Sequence, residues 1–152
     1  MVTEGELIAR RSAMESAYDP IRALSRIVSQ RFDEALRPAD ITGSQFNVLL
    51  NIAVAGRTNA QRLAEWLFVE KSTVSRLLKG MEAKGWIKQT PSKTSRSVYL
   101  EVTDEGHDFI HDAIALIDEP CKDCDVLLGT KMLTQMTKAV AKLRKGKELS
   151  IS

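Results

Sequence analysis

Apolar residues recur at three- and four-residue spacing along most of this chain, and at every second position along one short stretch. Ile21, Leu24, Val28, Phe32 and Leu36 mark a long amphipathic helix ending near Arg37-Pro38, and Leu7, Met14 and Tyr18 carry the stripe toward the N-terminus. Thr42 and Gln45 have capping-box spacing, with Ile41 placed to staple onto Phe46. A helix therefore starts there and runs through Val48, Leu49, Ile52 and Ala53 to Gly56. Thr58 and Gln61 repeat the spacing and predict a short helix bearing Leu63, Ala64 and Leu67. After a break near Val69-Glu70, a helix is expected from Lys71 to Lys84, stopped by Gly85. Its apolar face holds Val74, Leu77, Leu78 and Met81; Ser72, Ser75, Arg76, Lys79 and Ala83 share the opposite face.

Beyond Gly85 the period shortens to two. Ile87 begins a strand, Pro91 to Ser95 read as a turn, and Val98, Leu100 and Val102 alternate with Tyr99 and Glu101. Thr103-Asp104-Glu105 opens another helix with acids in its first turn, where the dipole favours them. It carries Phe109, Ile110, Ile114 and Ile117 and is expected to reach Leu127 or Leu128, kinked or interrupted at Pro120. Gly129-Thr130 separates a last helix with Met132, Leu133, Met136, Val140 and Leu143, followed by a basic, frayed tail. Short helix, second helix, then hairpin is the order of a winged helix-turn-helix, so the expected fold class is mainly α with a small β-wing.

The 152 residues fit one domain, and 43% hydrophobic with 28% charged is the balance of a globular protein. No apolar run is long enough to span a membrane, and the acidic start lacks the order of a signal peptide, so a cytoplasmic protein is expected. Two cysteines are then not a structural disulfide. The net charge of +2 is uninformative until its distribution is read. Lys71, Arg76, Lys79, Lys84, Lys88, Lys93 and Arg96 face only Glu70 and Glu82 between positions 70 and 99, so the rest of the chain is net negative. Positive charge gathered on one supersecondary unit is what a phosphate-binding surface requires.

At this point the residues resemble the MarR family of transcription regulators. Leu63-Ala64, the run Ser72-Thr73-Val74-Ser75-Arg76-Leu77-Leu78, then Met81-Glu82-Ala83-Lys84-Gly85-Trp86-Ile87, Arg96 and Val102-Thr103-Asp104-Glu105-Gly106 carry the resemblance. It implies one domain over 1–152, with a DNA-binding lobe over 42–103 and N- and C-terminal dimerisation helices over 5–37 and 104–146. It also implies a homodimer on a palindromic DNA site, often released by a small ligand or an oxidant. Two residues depart from the family pattern. Thr94 stands where an acid commonly partners the wing Arg, and Glu70 takes a capping position that often holds Ser.

The expected DNA-binding residues are Lys71, Ser72, Thr73, Ser75, Arg76, Lys79, Lys93, Ser95 and Arg96. Arg76 has the bidentate geometry that reads guanine, the lysines suit phosphates, and Arg96 is placed for a narrow minor groove. Residues proposed for an effector are Tyr18, Arg22, Arg26, Phe46 and Trp66. The ligand class that the resemblance implies is an aromatic acid or phenol. Cys121 and Cys124 read either as a redox or soft-metal pair or as small core or interface residues. His107 and His111 have zinc-compatible spacing, but the resemblance implies further ligands before the second helix, where this chain has no His or Cys, so no metal or cofactor is expected. An enzyme is not expected: no phosphate-binding loop is present, and no nucleophile, base and orienting group fall together. A winged helix serving only as a protein-interaction module would present an apolar second helix, whereas this one is polar and cationic.

Overall fold

A computed structural model describes residues 1–151. Helix α1 (Glu4–Ala13) passes through one wide π turn (Met14–Tyr18) into α2 (Asp19–Leu36). Pro20 has no N–H for the carbonyl four residues back, and the widened turn lies immediately ahead of it. The expected stripe is present and is covered progressively toward its end: Leu24, Val28 and Phe32 are half-buried and Leu36 fully buried, whereas Leu7, Ile8 and Ile21 are more than half exposed. A short 3-10 turn, Arg37–Ala39, holds Pro38.

Helix α3 (Gly43–Ala55) opens on the expected capping box, with the Gln45 N–H donating to Thr42 Oγ1 (3.2 Å) and the Thr42 N–H to Gln45 Oε1 (3.0 Å). Its Phe46, Val48, Leu49 and Ile52 are buried. Helices α4 (Ala60–Leu67) and α5 (Lys71–Ala83) follow, then strands β1 (Ile87–Pro91) and β2 (Val98–Val102), paired antiparallel with Ile87 opposite Val102 and Pro91 opposite Val98. Gly85 takes a left-handed φ of 74° and turns the chain out of α5. Val74, Leu78, Met81, Ile87 and Leu100 close one core with α3, Leu36 and Leu63. Each fully buried Leu among them contributes about 1.5–3 kcal/mol of transfer free energy.

Three expectations are corrected. The cap of α4 is Asn59, whose Oδ1 accepts the Arg62 N–H at 2.9 Å, not Thr58. Thr58 is instead fully buried: its backbone pairs both ways with Leu100, and its hydroxyl donates to the Leu149 carbonyl. Pro120 does not break a helix. Helix α6 (Asp104–Ala113) ends earlier, a 3-10 turn spans Ile114–Ile117, and Pro120 lies in the first turn of α7 (Asp118–Arg144), where no intrahelical N–H is needed. The interruption of α7 is at Gly129, as expected, with a non-helical φ of 69°. The tail is not frayed. Leu149 is only 8% exposed in the core cluster, and the Ile151 N–H donates to the Arg57 carbonyl (2.9 Å).

Leu149→Asp is therefore expected to cost about 2–4 kcal/mol, on the scale of a buried Leu lost plus a charge desolvated. Chemical denaturation checks this; an unchanged midpoint would mean that the tail does not dock.

Candidate nucleic-acid interface

Helix α5 begins at Glu70, whose side chain makes no cap bond, as a long carboxylate at this position would be expected to behave. Its back is the core: Val74 and Met81 are fully buried and Leu78 nearly so, with Leu77 packed at the margin. The front therefore faces out. Lys71, Ser72, Arg76 and Lys79 are exposed, while Thr73 and Ser75 are half-buried. Arg76 Nη2 donates to Thr73 Oγ1 one turn earlier (3.3 Å), which steadies the guanidinium without neutralising it. None of the ion pairs among the described residues involves Lys71, Arg76, Lys79, Lys93 or Arg96. Lys88, by contrast, lies 3.9 Å from Glu101, and Lys84 is 2.7 Å from Asp40, so these two cations serve the fold. Lys84 draws the Asp40 carboxyl below its ordinary range by hydrogen bond and by charge.

An aromatic stack anchors the far end of α5. Trp86, which follows Gly85, lies against Phe109 of α6 with centroids 3.8 Å apart, and Phe109 meets Phe46 of α3 edge-on at 6.4 Å. Lys84 Nζ lies over the Trp86 ring, 4.7 Å from its centroid. Helix, wing base and α6 are thus held as one piece.

At the wing tip the expected acidic partner of Arg96 is absent, and serine takes over the turn. Ser92 Oγ accepts the N–H groups of Thr94 and Ser95 (both 3.2 Å), and the Ser92 N–H donates to the Ser97 carbonyl (2.8 Å). A short Ser/Thr side chain satisfying nearby backbone is a known turn device. The tip is ordered around Ser92, while Arg96 stays exposed and uncommitted.

Helix and wing enclose a cleft of about 510 Å³ that brings together Lys71, Ser75 and Lys79 from α5 with Arg96 from the wing. Ser72, Thr73 and Arg76 lie outside its lining, as do Lys93 and Ser95 at the wing tip. Sequence reasoning missed Asn59 and Gln61 at the start of α4, and Gln89 and Ser97 on the hairpin, all of which line the cleft. The cap residue Asn59 was the available signal, masked by the equally plausible Thr58. Gln89 Nε2 donates to Glu82 (2.8 Å), turning that carboxylate toward the hairpin.

The five residues expected to meet an effector do not come together within one chain. Tyr18 and Arg22 pair along their own helix, guanidinium to phenol oxygen at 2.8 Å. Arg26 lies in a shallow polar cleft on α2 with Asp33 and Arg37. Phe46 is buried and lines a cleft of about 400 Å³ between α2, α3 and the 3-10 turn at Ile117. Trp66 borders a separate groove along the second half of α7.

Cys121 is exposed and Cys124 half-buried on the first turns of α7. Partial burial is the first cause that raises both thiols above their ordinary range; Cys124, Asp118 and Asp125 add to it at Cys121, and Asp123 and Asp125 at Cys124. A reactive thiolate needs the opposite surroundings. Alkylation by iodoacetamide at pH 7 is expected to be slower than for a free model thiol, read by mass spectrometry; faster labelling would revive a redox role. His107 and His111 are exposed, His111 beside Asp112 at 3.2 Å. Among the described residues no three or more His, Cys, Asp or Glu side chains are grouped to hold a metal ion. No helix among them is long and apolar enough to cross a membrane.

Helix-turn-helix and wing, with uncommitted cations along the front, define a winged-helix regulator. The sequence pattern of the MarR family matches residues 39–96. The chain is 31% identical over 124 residues to the multiple antibiotic resistance protein MarR of Escherichia coli (strain K12), covering 78% of each. The chain belongs to the MarR family, whose curated relatives here are transcription regulators and not enzymes. The fold agrees with solved structures. It superposes on MepR of S. aureus, solved as a complex with DNA, with a TM-score of 0.71 at 21% identity, covering 85% of this chain and 96% of that one. It also superposes on an organohalide-sensing transcriptional regulator in its 2,4-dichlorophenol-bound form, with a TM-score of 0.72 at 16% identity, covering 91% and 88%.

Proposed function

We propose that this protein binds a palindromic operator as a homodimer, represses the adjoining promoter and is released by a small ligand. The observation that carries the reading is the pairing of two unpaired cationic elements: the front of α5, and Arg96 across the cleft from it. Helix α5 enters the major groove. There Arg76 reads guanine, Ser72, Thr73 and Ser75 offer hydroxyls to phosphate or base edges, and Lys71 and Lys79 neutralise phosphates. The wing lies along the backbone, with Lys93 and Ser95 near phosphate and Arg96 in the adjacent minor groove. MepR, solved with DNA, supports this reading by its shared fold.

Dimerisation is supported by apolar side chains that one chain leaves uncovered on α1, α2 and α7. Leu7, Ile8 and Ile21 lie at one end, and Met132, Met136, Val140 and Leu143 at the other. Sedimentation is expected to give twice the mass of one chain at micromolar concentration; a monomer there would contradict the dimer. For the effector, an aromatic acid or phenol, Phe46 is the best placed of the five residues. It lines the cleft where the lobe meets α2, and the 2,4-dichlorophenol-bound neighbour supports that ligand class by analogy.

The test is a gel shift with the intergenic DNA upstream of the protein's own gene, in competition with excess random DNA. Retention of the shifted band is expected. Equal competition by random DNA would reduce the activity to charge alone.

A further inference from the structure

The turn between α4 and α5 carries an uncommon conformation. Phe68, its pivot, has a φ of 56°, in the left-handed region that L-residues other than glycine, asparagine and aspartate avoid because Cβ approaches the following carbonyl. The Phe68 and Val69 N–H groups both donate to the Ala64 carbonyl, as they do where a helix ends in this geometry. That arrangement leaves the next carbonyls of α4, Glu65 and Trp66, with no donor from their own helix. Donors arrive from the other end of the chain. Arg144 Nε donates to the Trp66 carbonyl (3.0 Å), and Lys147 Nζ to the Glu65 carbonyl (3.0 Å). The same two cations cover the aromatic rings of the turn, Arg144 over Trp66 at 4.2 Å and Lys147 over Phe68 at 4.2 Å. Behind them the tail is pinned by buried Leu149, by Thr58 to its carbonyl, and by Arg62 to the Ser150 carbonyl.

We propose that Arg144 and Lys147 are positioning residues for DNA reading: they cap α4 from outside, hold Phe68 in its left-handed turn and so set the entry and aim of α5. Two physical facts favour this over a solvated basic tail. Cations at a helix C-terminus are favoured by the dipole, and each forms a charge-assisted hydrogen bond to an otherwise orphaned carbonyl. The turn they hold is three residues from Lys71, the first residue of α5, so a change in Phe68 φ swings the whole helix. Because α7 supplies Arg144, displacement of α7 is transmitted directly to α5. The inference rests on the DNA-binding reading above, but its first step, control of the turn, does not.

The test compares the full-length wild type with Arg144→Gln/Lys147→Met. The control is Lys145→Gln, which removes a neighbouring charge from a residue that makes no hydrogen bond to α4 among the described residues. Amide hydrogen exchange is followed at Phe68, Val69 and Thr73. The preference for upstream over random DNA and the salt dependence of binding are measured alongside. In the double variant, exchange at the turn is expected to rise about tenfold, amides of α3 staying protected. The DNA preference is expected to fall about tenfold, the scale of a lost charge-assisted bond, at an unchanged salt slope. Lys145→Gln behaves as wild type. Unchanged exchange at the turn overturns the proposal. So does a salt slope lowered by about 0.9 per lost cation with the preference intact, because that marks phosphate contacts. If the wild type shows no preference for its upstream DNA, the functional reading fails, and the exchange arm still decides whether the tail sets the turn. Should the double variant unfold, the single variants carry the comparison. Lys147→Met must still raise exchange, and Arg144→Lys, which keeps a donor, must restore wild-type behaviour.

Discussion

Arg76→Ala is expected to remove most of the preference for the upstream DNA while leaving nonspecific binding largely in place. A bidentate Arg–guanine contact discriminates by about 1–3 kcal/mol, and a homodimer makes the contact in both half-sites. Two contacts together are worth about 2–6 kcal/mol, so the loss is expected between roughly thirtyfold and about 25,000-fold, at the upper end when both contacts are fully formed. The side chain is well suited to the role. It projects from the face opposite buried Val74 and Met81, pairs with no acid among the described residues, and is steadied by Thr73. Lys79→Ala supplies the contrast. It removes a charge without a fork of donors, so affinity is expected to fall alike for every sequence, with a salt slope reduced by about 0.9 per contact. Binding measured over a salt series on both DNAs separates the two. Unchanged discrimination in Arg76→Ala would move base reading elsewhere on α5 or the wing.

Gly106→Ala is expected to be the most destabilising single substitution of a small residue. Gly106 is in the first turn of α6, and a Cβ there would lie 2.1 Å from the Trp86 carbonyl oxygen and 2.7 Å from Val102 Cγ1. Neither neighbour has room to yield. The Trp86 carbonyl already accepts the Thr103 N–H at 3.0 Å, and its ring is stacked on Phe109. Val102 ends β2 opposite Ile87. Overpacking usually costs about 1–3 kcal/mol, and a clash with fixed backbone belongs at or above the upper end. For a chain of this size, about 3 kcal/mol lowers Tm by roughly 6–12 °C. Gly5→Ala, with nothing within 4 Å in exposed α1, is the control and should stabilise slightly. A Gly106→Ala protein that melts with the wild type would mean that α6 packs less closely on the wing base than described.

Much of this was legible in the residues because the signals were local. Thr42 and Gln45 make a capping box within four residues, and the period of Val74, Leu78 and Met81 alone places Arg76 on the outer face. What failed depended on distant partners. Thr58 and Asn59 are both good caps; the choice between them was made by Leu100 and Leu149, which draw Thr58 into the core. Leu149 shares a polar tail with only one other apolar residue, Ile151, too few to set a periodicity that announces its burial. Pro120 was misread because the start of its helix depended on where the Ile114–Ile117 turn fell, and a proline in a first turn disturbs nothing. The site followed the same division. The residues on the face of α5 could be chosen from spacing, whereas the cleft, with Gln61, Gln89 and Ser97, exists only once the hairpin folds beside the helix.

In the proposed complex, α5 and the wing read DNA together as a symmetric pair. A base-resolution cleavage footprint of the wild-type protein on its upstream DNA tests it most directly. Two protected major-groove segments are expected about 10–10.5 base pairs apart, or a multiple of that, each flanked by minor-groove protection at the reach of Arg96. Uniform weak protection along the fragment, or a single protected segment without a symmetric mate, would contradict it.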